Sequence, residues 1–187
     1  MLLSVGALIE GKGHHRVLEI LPDLIARRPE LLYVAIGSGD SYRRVIEELV
    51  QRHCLEEYVR IMTPRPHEEI PLWMAAADLF CLATRSEGWC NAIMEALACG
   101  LPVVTTRVGG NAEVVRDGHD GLLVPFWDGP AFANAILRAL EFQWDRQAIS
   151  ARARVNGWEE RAEEVLEEFL TCLRPGQSQL KSFVTRS

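Results

Sequence analysis

The 187-residue sequence predicts an α/β fold: one doubly wound parallel sheet of about six strands, covered by helices on both faces. Three observations carry this. Short apolar runs of four or five residues recur along the chain without the polar alternation of a half-wet strand. Stretches of helical periodicity separate the runs in regular alternation. Glycine-rich turns follow the first two runs, where strand gives way to helix. Because βαβ crossovers are right-handed, a single doubly wound unit is the arrangement that such a chain reaches.

The elements follow in order. A strand at 2–5 leads through Gly6 to Gly13 into a helix over 13–27. A second strand at 32–36 ends in Gly37-Ser38-Gly39 and yields a helix over 40–53, with Asp40 expected as its N-cap. A strand at 59–62 runs into the rigid turn Pro64-Arg65-Pro66 and a helix over 67–76. The fourth strand, 79–82, precedes a helix over 91–99, and the fifth, 102–105, precedes one over 111–116. A last strand at 122–124 is followed by helical periods at 130–142, 146–153 and 158–172. One domain over 1–173 is expected. From Arg174 the chain turns polar through Pro175-Gly176-Gln177-Ser178-Gln179, and 174–187 reads as a flexible tail.

Composition excludes several function classes. With 48% apolar and 25% charged residues the chain is an ordinary globular one, and its net charge of −6 argues against nonspecific nucleic-acid binding. Part of that acidity is local, since six glutamates between Trp158 and Glu168 fit a solvated helix face. The five cysteines show no CxxC and no ligand spacing with histidine, which implies a reduced, cytoplasmic chain without structural zinc. Cys81 and Cys99 read as small core residues. The N-terminus lacks the basic and apolar regions of a signal peptide, and no run of 18 apolar residues is available for a membrane span.

Chemistry gathers after the strands. Two carboxylates, Glu87 and Glu95, stand eight residues apart between the fourth and fifth strands. On one continuous helix they would point about 80° apart, so they converge more easily with Glu87 in the strand loop and Glu95 early in the helix. A helix N-terminus after a sheet strand favours anions, phosphates included, and ionised carboxylates suit vicinal hydroxyls. Spacing alone leaves plainer readings open: Glu95 as a first-turn partner of the helix dipole, and Glu87 as an exposed loop charge. Lys12, between Gly11 and Gly13, offers a point charge for phosphate or merely decorates a turn; the segment is neither GxGxxG nor a P-loop. His14 and His15 are adjacent, point apart on a helix and read as surface or packing residues. Without GxGxxG, a dinucleotide-dependent oxidoreductase is disfavoured.

Taken in order, these blocks resemble the C-terminal, donor-binding domain of the retaining group 1 (family-four) glycosyltransferases of the GT-B fold. The resemblance rests on Ser4-Val5-Gly6 with Lys12-Gly13, Ile36-Gly37-Ser38-Gly39, Ala76-Ala77-Asp78, Ser86-Glu87-Gly88 with Met94-Glu95-Ala96, and Cys99-Gly100-Leu101-Pro102-Val103-Val104. Gly109-Gly110 with Glu113, Asp117-Gly118 with Gly121-Leu122-Leu123-Val124, and Trp158 extend it over about residues 2–172. It implies a Rossmann-like domain that binds a UDP- or GDP-sugar donor and serves surface-polysaccharide or glycan synthesis. Glu95 would hold the ribose hydroxyls, Glu87 the sugar hydroxyls and Lys12 the diphosphate, which makes Glu87 and Lys12 the catalytic candidates. Gly6 and the backbone of Gly88, Trp89, Cys90, Asn91 and Ala92 would cradle phosphate and sugar, and Arg65 would border the base. No metal or other cofactor is implied, because Asp-x-Asp is absent.

Two departures qualify the resemblance. Family members carry an arginine where this chain has Ala7, so Arg65, Arg85 or Arg107 would have to replace its phosphate contact. The acceptor-binding half that precedes the donor half in the family has no counterpart in this sequence. The expectation is therefore the donor half of a cytoplasmic transferase, peripheral to the inner membrane when part of a full enzyme. The alternative is a non-catalytic nucleotide–sugar binding or regulatory module.

Overall fold

The computed structural model describes residues 1–126, 128–155 and 158–173. In chain order it contains β1 (Leu2–Val5), α1 (His14–Arg27), β2 (Tyr33–Ile36), α2 (Asp40–Arg52), β3 (Val59–Met62), α3 (Ile70–Ala76) and β4 (Leu79–Leu82). There follow α4 (Asn91–Ala98), β5 (Val103–Thr106), α5 (Asn111–Val114), β6 (Gly121–Val124), α6 (Gly129–Glu141), α7 (Arg146–Arg154) and α8 (Trp158–Leu173). Single 3-10 turns at Glu10–Lys12 and His67–Glu69 lead into α1 and α3. The chain divides into two compact units, Met1–Ala153 and Arg154–Ser187, so α8 belongs to the second. The expected tail over 174–187 lies outside the described residues.

Six strands form one sheet in the order β3-β2-β1-β4-β5-β6, every neighbouring pair parallel. Alternate residues of each strand enter two separate cores. Leu2, Tyr33, Ala35, Leu79, Cys81 and Val104 face α1 and α6, whereas Leu3, Val34, Ile36, Phe80, Leu82 and Val103 face the side of α3 and α4. Burial on both faces is why the strands carry no polar alternation, and each Val, Leu, Ile or Phe among these side chains contributes about 1.5–3 kcal/mol by leaving water.

Local chemistry moves three expected boundaries. Asp40 is the first residue of α2, not its cap; Gly39 occupies that position, because the Leu8 amide donates to Ser38 O (2.6 Å) and draws the chain in before the helix begins. The helix expected over 67–76 starts as a 3-10 turn, with Pro71 in the first turn of α3, where its missing N–H costs nothing. α5 stops at Val114 rather than 116, since the Arg116 amide donates to the Asp120 carboxylate (3.0 Å) and leaves the helical path. Of the cysteines expected in the core, Cys81 is fully buried and Cys99 half-buried, and Cys90 is buried as well.

A buried polar chain crosses the α1 face. Ser4 donates to Cys81 O, Tyr33 donates to Ser4 Oγ (3.0 Å), and the His14 ring lies 3.2 Å from the Tyr33 hydroxyl and 3.3 Å from Ala7 O. His14 is thus a packing residue, as expected, and His15 sits edge-on against Tyr42. Burial pulls the His14 pKa down to about 4, the Ala7 carbonyl working the other way. Below pH 6.5 the unfolded chain takes up a proton that the native ring refuses. Stability is therefore expected to fall by about 3 kcal/mol as pH drops from about 6.5 to about 4. Urea unfolding at pH 7 and pH 4.5 reads this loss, and a His14→Gln variant should flatten it.

Candidate functional site

All six strands run the same way, so their carboxyl ends share one edge; the predicted site residues lie on the loops or helix starts that leave it, except Glu95, which sits in the second turn of α4. The chain order reverses between β1 and β4: β1 is followed outward by β2 and β3, β4 by β5 and β6. A crevice opens at such a switch point in doubly wound sheets. Lys12 follows β1 and Glu87 follows β4, so the switch point brings together two residues 75 positions apart.

They meet closely. Lys12 Nζ lies 2.6 Å from Glu87 Oε1, with side-chain exposures of 25% and 9%, which removes the reading of Glu87 as an exposed loop charge. The Thr84 hydroxyl donates to the same oxygen (2.9 Å) and also lies 3.0 Å from Gly11 O and 3.3 Å from Ser86 O. Both protein donors therefore sit on Oε1, and Oε2 takes none among the described residues.

The loop that carries Glu87 is clamped from both sides. On one flank the Arg85 amide donates to Gly11 O (2.8 Å), and a Cβ on Gly13, whose φ is +74°, would meet Ala83 O at 1.9 Å. On the other the Gly110 amide donates to Glu87 O (3.2 Å), and a Cβ on Gly109, with φ +47°, would meet that oxygen at 1.7 Å. Sequence reading assigned Gly13, Gly109 and Gly110 no such role and missed Thr84. A hydroxyl directly after the apolar run of β4 was the available signal.

Glu95 is the fifth residue of α4, beyond the first turn, so the helix-dipole reading does not explain it. Its carboxylate is half-buried and takes no hydrogen bond or ion pair among the described residues. Desolvation raises its pKa, against the opposing influence of His67. A carboxylate kept partly dry without a hydrogen bond or ion pair costs the fold free energy, which makes Glu95 a candidate ligand group. The remaining predicted positions are less alike. Gly88, Trp89 and Asn91 are exposed at the mouth of α4 and Ala92 is half-buried, whereas Cys90 is buried and can offer only its backbone outward. Burial and then Glu87 push the Cys90 thiol up, away from reactivity. Gly6 directly follows β1, its amide donating to Ile36 O (3.0 Å).

Of the arginines that could replace the one expected at Ala7, Arg107 is ion-paired to Asp117 (2.6 Å). Arg65 is exposed after the edge strand β3, two strands from β1, and the structure does not bring it into contact with Glu87 or Glu95. Arg85 stands beside Lys12, tied by its backbone to Gly11. Among the described residues no group of three His, Cys, Asp or Glu is placed to hold a metal ion, and no helix is long and apolar enough to cross a membrane.

A parallel doubly wound sheet with a lysine, a partly dry carboxylate and a helix N-terminus near its switch point has the layout in which open α/β folds seat ligands. The chain belongs to the group 1 glycosyl transferases, whose family model matches residues 1–156. It is 34% identical over 173 residues to the D-inositol 3-phosphate glycosyltransferase of Corynebacterium urealyticum, covering 87% of this chain and 41% of that protein. It is 33% identical over 187 residues to the protein of the same name from a Nocardioides species, covering 90% and 41%. Among solved structures, Anabaena Alr3699/HepE in complex with UDP superposes with a TM-score of 0.80 at 25% identity, over 92% of this chain and 49% of that one. The Rickettsia africae glycosyltransferase shares the fold, with a TM-score of 0.84 at 20% identity over 94% and 48%. The chain thus spans less than half the length of these relatives, and the Rossmann-like reading of its fold stands.

Proposed function

We propose that this chain is the donor-binding half of a retaining glycosyltransferase that moves a sugar from a UDP- or GDP-sugar to an acceptor hydroxyl in surface-polysaccharide or glycan synthesis. The observation that carries the reading is the Lys12–Glu87 pair at the switch point, with Glu95, which has no hydrogen bond or ion pair among the described residues, in the second turn of α4. An ammonium has three N–H donors, so Lys12 can keep Glu87 and still bind a diphosphate oxygen. Its charge and the N-terminus of α4 then oppose the negative charge that builds on the departing nucleoside diphosphate, without a metal ion. Glu87 Oε2 accepts from a sugar hydroxyl, and Glu95 accepts from the two vicinal hydroxyls of the ribose. Arg85, beside Lys12, takes over the phosphate contact that Ala7 cannot make, and Arg65 borders the base.

The acceptor is held by a second half, of the kind that the longer relatives have room for, working on the cytoplasmic side at the membrane periphery. UDP or GDP at 100 times its dissociation constant should stabilise the chain by about 2.7 kcal/mol, seen as a raised melting temperature. No shift with any nucleoside diphosphate at millimolar concentration would sink this reading. With an acceptor half supplied, the product should keep the anomeric configuration of the donor; an inverted product refutes retention.

A further inference from the structure

Thr84 is a fully buried residue that the family's glutamate motif does not include, yet its hydroxyl points at that motif's first carboxylate. Its backbone is fixed independently: Thr106 Oγ1 donates to Thr84 O (2.5 Å), Ala83 is packed against Gly13 and the Arg85 amide donates to Gly11 O, while Gly110 holds the backbone of Glu87. The hydroxyl has one proton and three acceptors within reach, Gly11 O, Ser86 O and Glu87 Oε1. Gly11 O already accepts from the Arg85 amide at 2.8 Å and so does not depend on this proton. Ser86 O is the most distant of the three, and the charged oxygen is the strongest acceptor.

We propose that Thr84 is a positioning residue for the sugar grip: its hydroxyl and Lys12 fasten Glu87 through Oε1 alone, which fixes the carboxylate's rotation and presents Oε2 to the donor sugar. This rests on the reading of Glu87 as the sugar-binding carboxylate. Because the loop backbone is clamped on both flanks, rotation of this carboxylate is the freedom that remains, and Thr84 is the neutral group that removes it. The diphosphate contacts do not pass through Thr84. Its hydroxyl therefore governs how much the sugar adds to binding, and leaves the nucleotide's own affinity alone.

Calorimetric titration of the whole chain with UDP and UDP-glucose, and with GDP and GDP-mannose, separates the two contributions; the pair with the larger sugar gain is carried forward. In Thr84→Val, a shape-conserving change, the gain of sugar nucleotide over bare nucleotide should fall about tenfold, the worth of one charge-assisted hydrogen bond. Bare-nucleotide affinity should stay within about twofold of wild type, and Thr84→Ser should restore the gain. Should Thr84→Val not fold, Thr84→Cys, whose thiol is a weak donor, gives the same comparison. A full gain in the valine variant, or an equal loss for nucleotide and sugar nucleotide, overturns the role of Thr84 alone. A wild-type chain that binds neither nucleotide contradicts the proposed function. One that binds nucleotide with no gain from either sugar contradicts Glu87 as the grip, and Thr84 with it.

Discussion

A Glu95→Gln chain is expected to melt at a higher temperature than wild type and to lose about 10- to 100-fold of its affinity for nucleoside diphosphate. The two effects come from one fact: the carboxylate is half-buried in the second turn of α4, takes no hydrogen bond or ion pair among the described residues, and has its desolvation offset only in part by His67. A raised native pKa means that the folded chain binds its proton before the unfolded chain does. The penalty is absent below the ordinary carboxylate value and fully present above the native one, so wild type bears it at pH 7 and the glutamine variant does not. The gain in melting temperature should shrink as pH falls toward about 4. The affinity loss is the worth of one or two hydrogen bonds from ribose hydroxyls to a charged oxygen, about 1.5–3 kcal/mol. A variant that melts lower and still binds nucleotide would return Glu95 to the fold.

Gly13→Ala should do more damage, to fold and site together. The residue combines a φ of +74° with a position where a Cβ would lie 1.9 Å from Ala83 O, a backbone atom that has no rotamer to escape into. The left-handed conformation costs a residue with a Cβ about 1–2 kcal/mol, and forcing apart packed backbone adds about 1–3 kcal/mol, so a loss near 3 kcal/mol or more is expected. Relief requires α1 to move off β4, which also separates Lys12 from Glu87. Chemical denaturation reads the stability, and a small change in unfolding midpoint would show that α1 can yield to β4 more easily than this close approach implies.

How much of this was legible beforehand depends on the range over which a residue acts. The strands were visible because burial on both faces leaves an uninterrupted apolar run, and 2–5, 59–62 and 79–82 coincide with β1, β3 and β4. Helix starts were less so. Asp40 has the right chemistry for a cap, but the position was decided by a loop bond from Leu8, far back in the chain. Glu87, Glu95 and Lys12 were singled out by residue type, motif order and resemblance. Periodicity does not say which strands become neighbours, so the Lys12–Glu87 contact, made possible by β4 pairing with β1 across the intervening β2 and β3, could not be derived from spacing. Thr84 escaped for the same reason: its partners Gly11 and Thr106 reach it only through the sheet. Arg65 shows the converse, a residue on the predicted edge that the strand order leaves two strands from the crevice.

The central claim is that the crevice between β1 and β4 holds the nucleotide. Titration of the isotopically labelled chain with UDP or GDP, followed by amide chemical shifts, tests it most directly. The account predicts saturable changes concentrated at Gly11 to Gly13, Glu87 to Ala92 and Glu95, with Leu122 to Val124 on the outer strand unmoved. Saturable changes that spare Lys12 and the Glu87 loop, or none at millimolar nucleotide, would contradict it.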